Sequence, residues 1–296
     1  MSKYSFIFLI IILLSSCAHK IPAFDADKAY SHLEKQCEFG ARYPNSDGIE
    51  LCRDYIINEL TKFQALIELQ EFSITVEGEA IKGINIIARF YPQMSRRILI
   101  AAHYDTRPWA DKEEDIALHE TPIPGANDAA SGVAVLLELA RLISMQQPQQ
   151  FGLDLVFFDL EDMGSYGEND TWCLGSTYFA DNYVKPKPEK AIVVDMIGDS
   201  DLSINMEYFS YHNSPILVKE VWEIADRLGY NEFQPKITNQ IYDDHYPLIA
   251  AGFNAIDIID FEYPFWHTLE DTPDKCSPGS LKIVGQTLTE LIYLEK

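Results

Sequence analysis

Stretches with helical and with strand periodicity alternate along almost the whole length of the 296-residue chain. Ala29, Leu33 and Cys37 recur at helical spacing, and with Asp25 or Asp27 as N-cap they predict a helix over 25–37. Ile49, Cys52, Ile56, Ile57 and Leu60 predict a second helix over 48–63. Alternating or β-branched runs over 66–74 and 84–90 predict two strands, and Arg97–His103 is a short apolar strand that stops at a polar cluster. Strand, loop and helix then repeat. Helices are expected over 132–144, 176–183, 215–228 and 280–294, and strands over 154–159, 190–196 and 255–259. That alternation implies an α/β fold, a mostly parallel mixed sheet flanked by helices on both faces. No internal repeat or low-complexity linker interrupts it, so residues 25–296 read as one domain. Two long polar loops, 105–125 and 163–174, are marked for function by their length.

The N-terminus follows another pattern. Lys3 precedes an unbroken apolar run from Phe6 to Leu14, too short to span a bilayer comfortably and suited to an export signal. Leu14-Ser15-Ser16-Cys17 resembles a bacterial lipoprotein signal, with Cys17 as the lipidated residue; a plain signal peptide cut near Ala18 is the alternative. Residues 1–24 are therefore expected to be signal and tether. The protein is expected in the bacterial periplasm or cell envelope, touching membrane through the lipid anchor alone. Charge narrows the partners. With 23 basic and 46 acidic side chains the net charge is −23, which repels phosphate backbones and argues against a nucleic-acid partner. A monomer is the default expectation.

Beyond Cys17, the cysteines Cys37, Cys52, Cys173 and Cys276 permit three complete pairings, and export would allow them to oxidise; Cys37 and Cys52 are nearest in sequence. None stands in a CxxC or beside a His at ligand spacing, which disfavours a thiolate metal site or a Cys nucleophile.

In an open α/β sheet, ligands bind beyond the carboxyl ends of the strands. Here those ends carry His103 and Asp105, then Asp128 ahead of a helix, then Asp159, Glu161 and Asp162, then Asp195. Tyr242-Asp243-Asp244-His245 lies in a later loop, and Trp266-His267 follows the last strand. Each alone reads as a cap or a hydrogen-bonded structural residue. Together, imidazole and carboxylate donors without thiolate suit a catalytic zinc with an open position. His19, His119 and His212 lack partners at ligand spacing and read as surface residues. The run Asp111-Lys112-Glu113-Glu114-Asp115 reads as a solvated loop, with loose calcium attraction as the alternative.

The wording of these segments goes further. HYDTRPWAD, GANDAASGVAVLLELAR, LVFFDLED, VVDMIG and WHT resemble the zinc aminopeptidase superfamily from about Ala101 to the C-terminus. IYDDHYPLIAAGFNAIDII, DTWCLGSTYFA and Trp266 before His267 resemble, within it, the animal-type glutaminyl-peptide cyclotransferases. That resemblance implies one Zn2+ on Asp128, Asp162 and His267, and Glu161 as general acid and base. It implies Asp195 and Asp243 hydrogen-bonded to each other and to the substrate, and an apolar slot walled by Trp266 and Phe265. The substrate would be a peptide or protein with N-terminal Gln. Two-zinc aminopeptidases use the same inventory, with a further metal on His103, Asp128 and Asp195. The chain departs from the cyclotransferases in having Glu161-Asp162 where they usually carry Glu-Glu. Ala102 and Val135 stand where the animal enzymes carry a cysteine pair.

Overall fold

The computed structural model describes residues 21–76, 78–238 and 240–294. The lipoprotein signal read over Lys3 to Cys17 lies outside the described residues. Phe24 was expected in the tether, yet it is buried, with its ring where a Cβ on Gly285 would stand and its N–H donating to Gln286. The packed unit thus includes a residue ahead of the expected start at Asp25.

A six-stranded sheet runs in the order β1 (Leu66–Val76), β2 (Glu79–Phe90), β4 (Gly152–Phe158), β3 (Arg97–His103), β5 (Lys190–Asp195), β8 (Ala255–Ile259). β4, β3, β5 and β8 are mutually parallel, whereas β1, β2 and β4 pair antiparallel. The sheet is therefore mixed, with its parallel half carrying the site.

Side chains alternate between its faces, as strand geometry requires. Ile86, Ile98, Ile100, Leu155, Phe157, Ile192, Val194, Ile256 and Ile258 join one core with helices α1 (Ala26–Cys37), α2 (Asp47–Lys62), α3 (Ala130–Met145), α6 (Pro215–Leu228) and α8 (Pro278–Tyr293). Ile87, Leu99, Ala101, Val156, Phe158, Ala191 and Val193 join the other with α4 (Leu174–Asp181) and α7 (His245–Ala250). Both faces are covered, so the parallel strands read as nearly continuous apolar runs. β1 is an edge, and its Leu66 and Leu69 are exposed.

Several short elements escaped the sequence pattern, α7 among them. β6 (Ile204–Met206) and β7 (Phe233–Ile237) form a separate two-stranded parallel pair, and α5 (Tyr208–Asn213) lies between β6 and α6. Such lengths are below what periodicity resolves.

The loop ahead of α3 is fixed by a buried cation. Arg42, fully buried, donates to the carbonyls of Tyr104, Pro124 and Gly125. The same strand-to-loop passage is tied by Arg42 N–H to Thr106 Oγ1 at 2.8 Å. Asp128 follows this clamp directly. Among the described residues, Cys37, Cys52, Cys173 and Cys276 are all free, so the pairing of Cys37 with Cys52 allowed by export is not formed. Burial pushes the Cys37 and Cys52 thiols up, to about 11 and about 12, and keeps both protonated in their apolar surroundings.

Candidate active site

The carboxyl ends of β3, β4 and β5 converge with the loop before α3 and the loop after β8. Leu160, Met196, Cys173 and His267 all have positive φ, between 47° and 60°, although none is glycine. Residues held in this sparsely populated region cluster where the surrounding structure over-determines them, often at functional sites. Here they turn the chain sharply after β4 and β5, at the start of α4, and at His267 itself.

Asp128, Asp162 and His267 come together, all buried, with ligand atoms mutually within 4.8 Å. His267 Nε2 lies 3.2 Å from Asp162 Oδ1 and 3.6 Å from Asp128 Oδ2. Both carboxylate oxygens of Asp162 are buried and receive no hydrogen bond. Buried carboxylate oxygens without donors are costly unless a cation neutralises them, so this donor set fits a zinc ion. Burial and the neighbouring Asp162 push Asp128 up to about 7. Burial opposes the charged form of His267, but the facing Asp162 and the nearby Asp111 carboxylate raise it to about 9.

The alternative trio is also assembled. His103 Nε2 lies 3.2 Å from Asp128 Oδ1 and 3.2 Å from Asp195 Oδ1, and Asp128 belongs to both groups.

Two further aspartates hold the backbone that carries these groups. Asp105 accepts from the N–H groups of Glu161 and Asp162, both at 3.1 Å, one on each carboxylate oxygen. Asp271 does the same for Asn127 and Asp128, at 2.8 and 3.1 Å, and receives the Tyr263 hydroxyl at 2.8 Å. Burial pushes Asp271 up to about 6, against the hydrogen bonds that favour its charged form.

Glu161 turns the other way from Asp162, and its Oε1 accepts from the Cys173 thiol at 3.3 Å. Burial raises its pKa well above the carboxylate range, with Asp162 and Asp243 adding to the rise against His103.

Asp195 and Asp243 both line the cleft, and the bond expected between them needs one of the two carboxyls protonated. Asp195 is taken by His103 and by the Met196 N–H at 2.8 Å. Asp243 lies against Asp257, whose carboxyl is raised well above its ordinary range by burial and by the charge of Asp243. Asp257 in turn lies 3.5 Å from His245 Nδ1, and His245 Nε2 lies 3.1 Å from Glu207 Oε2. His245, Asp243 and Asp257 thus form one buried cluster beside the cleft.

A narrow cleft of about 50 Å³ opens over these groups. Asp128, Glu161, Asp162, Asp195, Asp243 and His267 line it, with Trp172, Tyr242, Phe261 and Trp266 among its walls. Trp266 packs against the His267 ring at 4.0 Å between centroids, and Trp172 stacks parallel to that ring at 6.1 Å. Phe265 is not part of the wall. It packs edge-on against Tyr263 at 5.6 Å and lies under Lys275, while Phe261, which touches Trp266, takes the place expected of it.

Asp111, read in the sequence as part of a solvated run, is also at the site. Its Oδ2 receives Arg107 Nε at 3.0 Å, and its Oδ1 lies 3.4 Å from His267 Nδ1. His119 and His212 bond carbonyl oxygens of their own segments, as surface residues do.

With this geometry in hand, comparison with known proteins decides the family. Residues 85–292 match Peptidase family M28. The chain belongs to Peptidase family M28. Its fold matches a glutaminyl cyclase of Bacteroides thetaiotaomicron, solved with N-acetylhistamine bound, at 39% identity and a TM-score of 0.90; the match covers 94% of this chain and 100% of that one. A structure from the same organism described as a leucine aminopeptidase precursor matches equally, at 39% identity and TM-score 0.90, covering 94% and 99%. Among curated relatives, the glutaminyl-peptide cyclotransferase of Bos taurus is 23% identical over 86% of this chain and 79% of its own length. An aminopeptidase of Bacillus subtilis (strain 168) is 25% identical over 66% of this chain, and the match spans 40% of that relative's length. Both activities thus occur among the relatives, and a zinc-dependent M28 enzyme is common to both.

Proposed function

We propose that this M28 enzyme is a glutaminyl-peptide cyclotransferase, converting N-terminal Gln of peptides or proteins to pyroglutamate with release of ammonia. The observation that carries this reading is the cleft. Its aromatic walls suit the apolar part of a glutaminyl side chain, with Glu161 and Asp243 lining it beside the ligand trio. The likeness to structures described as glutaminyl cyclases supports it, including one from Tannerella forsythia at 40% identity and TM-score 0.89, covering 93% of this chain and 100% of that one.

Asp128, Asp162 and His267 would hold the zinc, which when bound supplies Lewis-acid polarisation of the substrate's γ-amide carbonyl. Trp266, Trp172 and Phe261 enclose the glutaminyl side chain and exclude water. The substrate's α-amine attacks the carbonyl carbon (Cδ) of its own side-chain amide, so a C–N bond forms and the C–NH2 bond breaks. Holding the side chain folded back on the amine supplies much of the rate, because the attack is intramolecular. Glu161 takes the proton that the α-amine loses and returns it to the departing nitrogen, which leaves as ammonia. Asp243, packed against Asp257, receives the α-amino group or the departing nitrogen, and Asp195 backs it from the His103 side.

The second reading, a two-zinc aminopeptidase, rests on His103 lying 3.2 Å from both Asp128 and Asp195. One zinc-quantified preparation, assayed on a Gln-peptide and on leucine anilide, separates the two. The expected result is one zinc per chain, Gln turnover only, and loss of about 10²–10⁴ in kcat in Glu161→Gln. Two tightly held zincs with anilide hydrolysis would contradict it. The export signal and lipid anchor at Cys17 belong to the same proposal, and they place the substrates among exported proteins.

A further inference from the structure

His267 has two ring nitrogens, and only one can face a metal. Nε2 points at Asp162 and Asp128, at 3.2 and 3.6 Å. Nδ1 points the other way, at Asp111 Oδ1 (3.4 Å) and the Tyr166 hydroxyl (3.1 Å). Asp111 Oδ1 is buried without a hydrogen-bond partner and has His267 Nδ1 within 3.4 Å. Its partner oxygen, Oδ2, is occupied by Arg107 through both Nε and Nη2. The carboxylate is therefore pinned on one side and aims its free oxygen at Nδ1.

Arg107 connects this contact to the rest of the donor set. It is 2% exposed, and its Nη1 and Nη2 donate to the carbonyls of Asp162 and Gly164, both at 3.1 Å. One guanidinium thus fixes the backbone at the ligand Asp162 and, through Asp111, the ring of the ligand His267. Tyr166, Trp109 and Trp172 pack over that guanidinium within 5.5 Å of its centre.

We infer that Asp111, held by Arg107, is a positioning residue that accepts the Nδ1–H of His267, keeps Nε2 unprotonated toward the metal, and so raises the affinity of the site for zinc. A carboxylate behind a ligating imidazole fixes its tautomer and orientation and increases its basicity. The fourteen-residue stretch downstream of Asp105 that carries His119 then has a structural role in the metal site at its Asp111 end. The inference rests on the ligand assignment of His267 and is independent of which reaction the enzyme performs.

The test is zinc affinity, measured by competition with a chelator on Asp111→Asn, Asp111→Ala and Tyr166→Phe. Asn keeps the shape and one acceptor but loses the charge, so zinc Kd is expected to rise about tenfold; in Ala it is expected to rise about a hundredfold. Tyr166→Phe should stay within about threefold of the parent. A cavity of about 580 Å³ borders Asp111, giving the variants room for water in place of the carboxylate. Should the Ala variant not fold, the Asn variant decides alone. Zinc Kd unchanged in Asp111→Asn and Asp111→Ala, or the full loss appearing in Tyr166→Phe, overturns the role given to Asp111. Failure of the parent protein to bind zinc would instead contradict the ligand trio itself, which keeps the two failures distinguishable.

Discussion

At the scale of single residues, the site depends on contacts that hold reactive groups in one orientation. Cys173 shows this most simply. Its thiol is buried, its pKa is pushed well up by burial and by Glu161, and it donates to Glu161 Oε1 at 3.3 Å. Cys173→Ala removes that donor from Glu161 Oε1. The expected loss is about 1.5 kcal/mol, or roughly tenfold in kcat, with KM little changed. Cys173→Ser keeps a donor and should restore most of the rate. Equal kcat in Ala and the parent would show that Glu161 is oriented by something else. The residues that meet at the cleft were legible in the sequence because they end strands, lie in the loops that follow strands or precede a helix, where an α/β sheet keeps its ligands: His103, Asp128, Glu161, Asp162, Asp195 and His267. Asp111 was not, because a run of alternating charges looks like solvated loop whichever member turns inward. Phe265 was misplaced for a similar reason. Tyr263, Phe265 and Trp266 lie in one loop, and only the turn of the chain decides which of them faces the cleft.

At the scale of elements, the position of α3 matters most, since the loop before it carries Asp128. Gly132 lies in its first turn against the sheet. A Cβ there would stand 2.6 Å from the Val194 carbonyl and 2.8 Å from Ala102 Cβ. Alanine gains up to about 1 kcal/mol from helix preference. The contact is with the backbone of β5, which cannot yield as a flexible side chain would, so the clash wins. Gly132→Ala is expected to destabilise by about 1–3 kcal/mol in denaturant unfolding. A variant as stable as the parent would mean α3 has more freedom over β5 than the packing shows. The long helices and the parallel strands were legible because each presents a full periodic face. The antiparallel arrangement of β1, β2 and β4 was not, because strand direction leaves no mark on periodicity. Asp257 was read as part of a core strand, although an acid in AIDII, buried on both sides, carried the signal of a partnered group. Its partners Asp243 and His245 lie a loop and a helix away.

At the scale of the whole molecule, an acidic protein buries many carboxylates, and its stability depends on where their protons go. Asp260 is clear of the metal-binding groups. Burial, with Asp199 and Glu262 adding to it, pushes its carboxyl up to about 6 from an ordinary 3.8, despite hydrogen bonds from the Ser203 and Glu262 N–H groups. The folded state therefore binds this proton more tightly than the unfolded chain. Its stabilising contribution is full below about 3.8 and is lost as pH rises through about 6. Asp260→Asn, which does not titrate, should gain on the parent across that interval when unfolding is followed at a series of pH values. A constant difference between the two proteins would contradict the sign. The function places a stricter demand on the molecule, because structures described as a glutaminyl cyclase and as a leucine aminopeptidase precursor match this fold equally. The mass of the product from a single peptide with N-terminal Gln distinguishes the two activities most directly. Cyclisation by this site predicts loss of one ammonia with every residue retained. A product shortened by its first residue would contradict it.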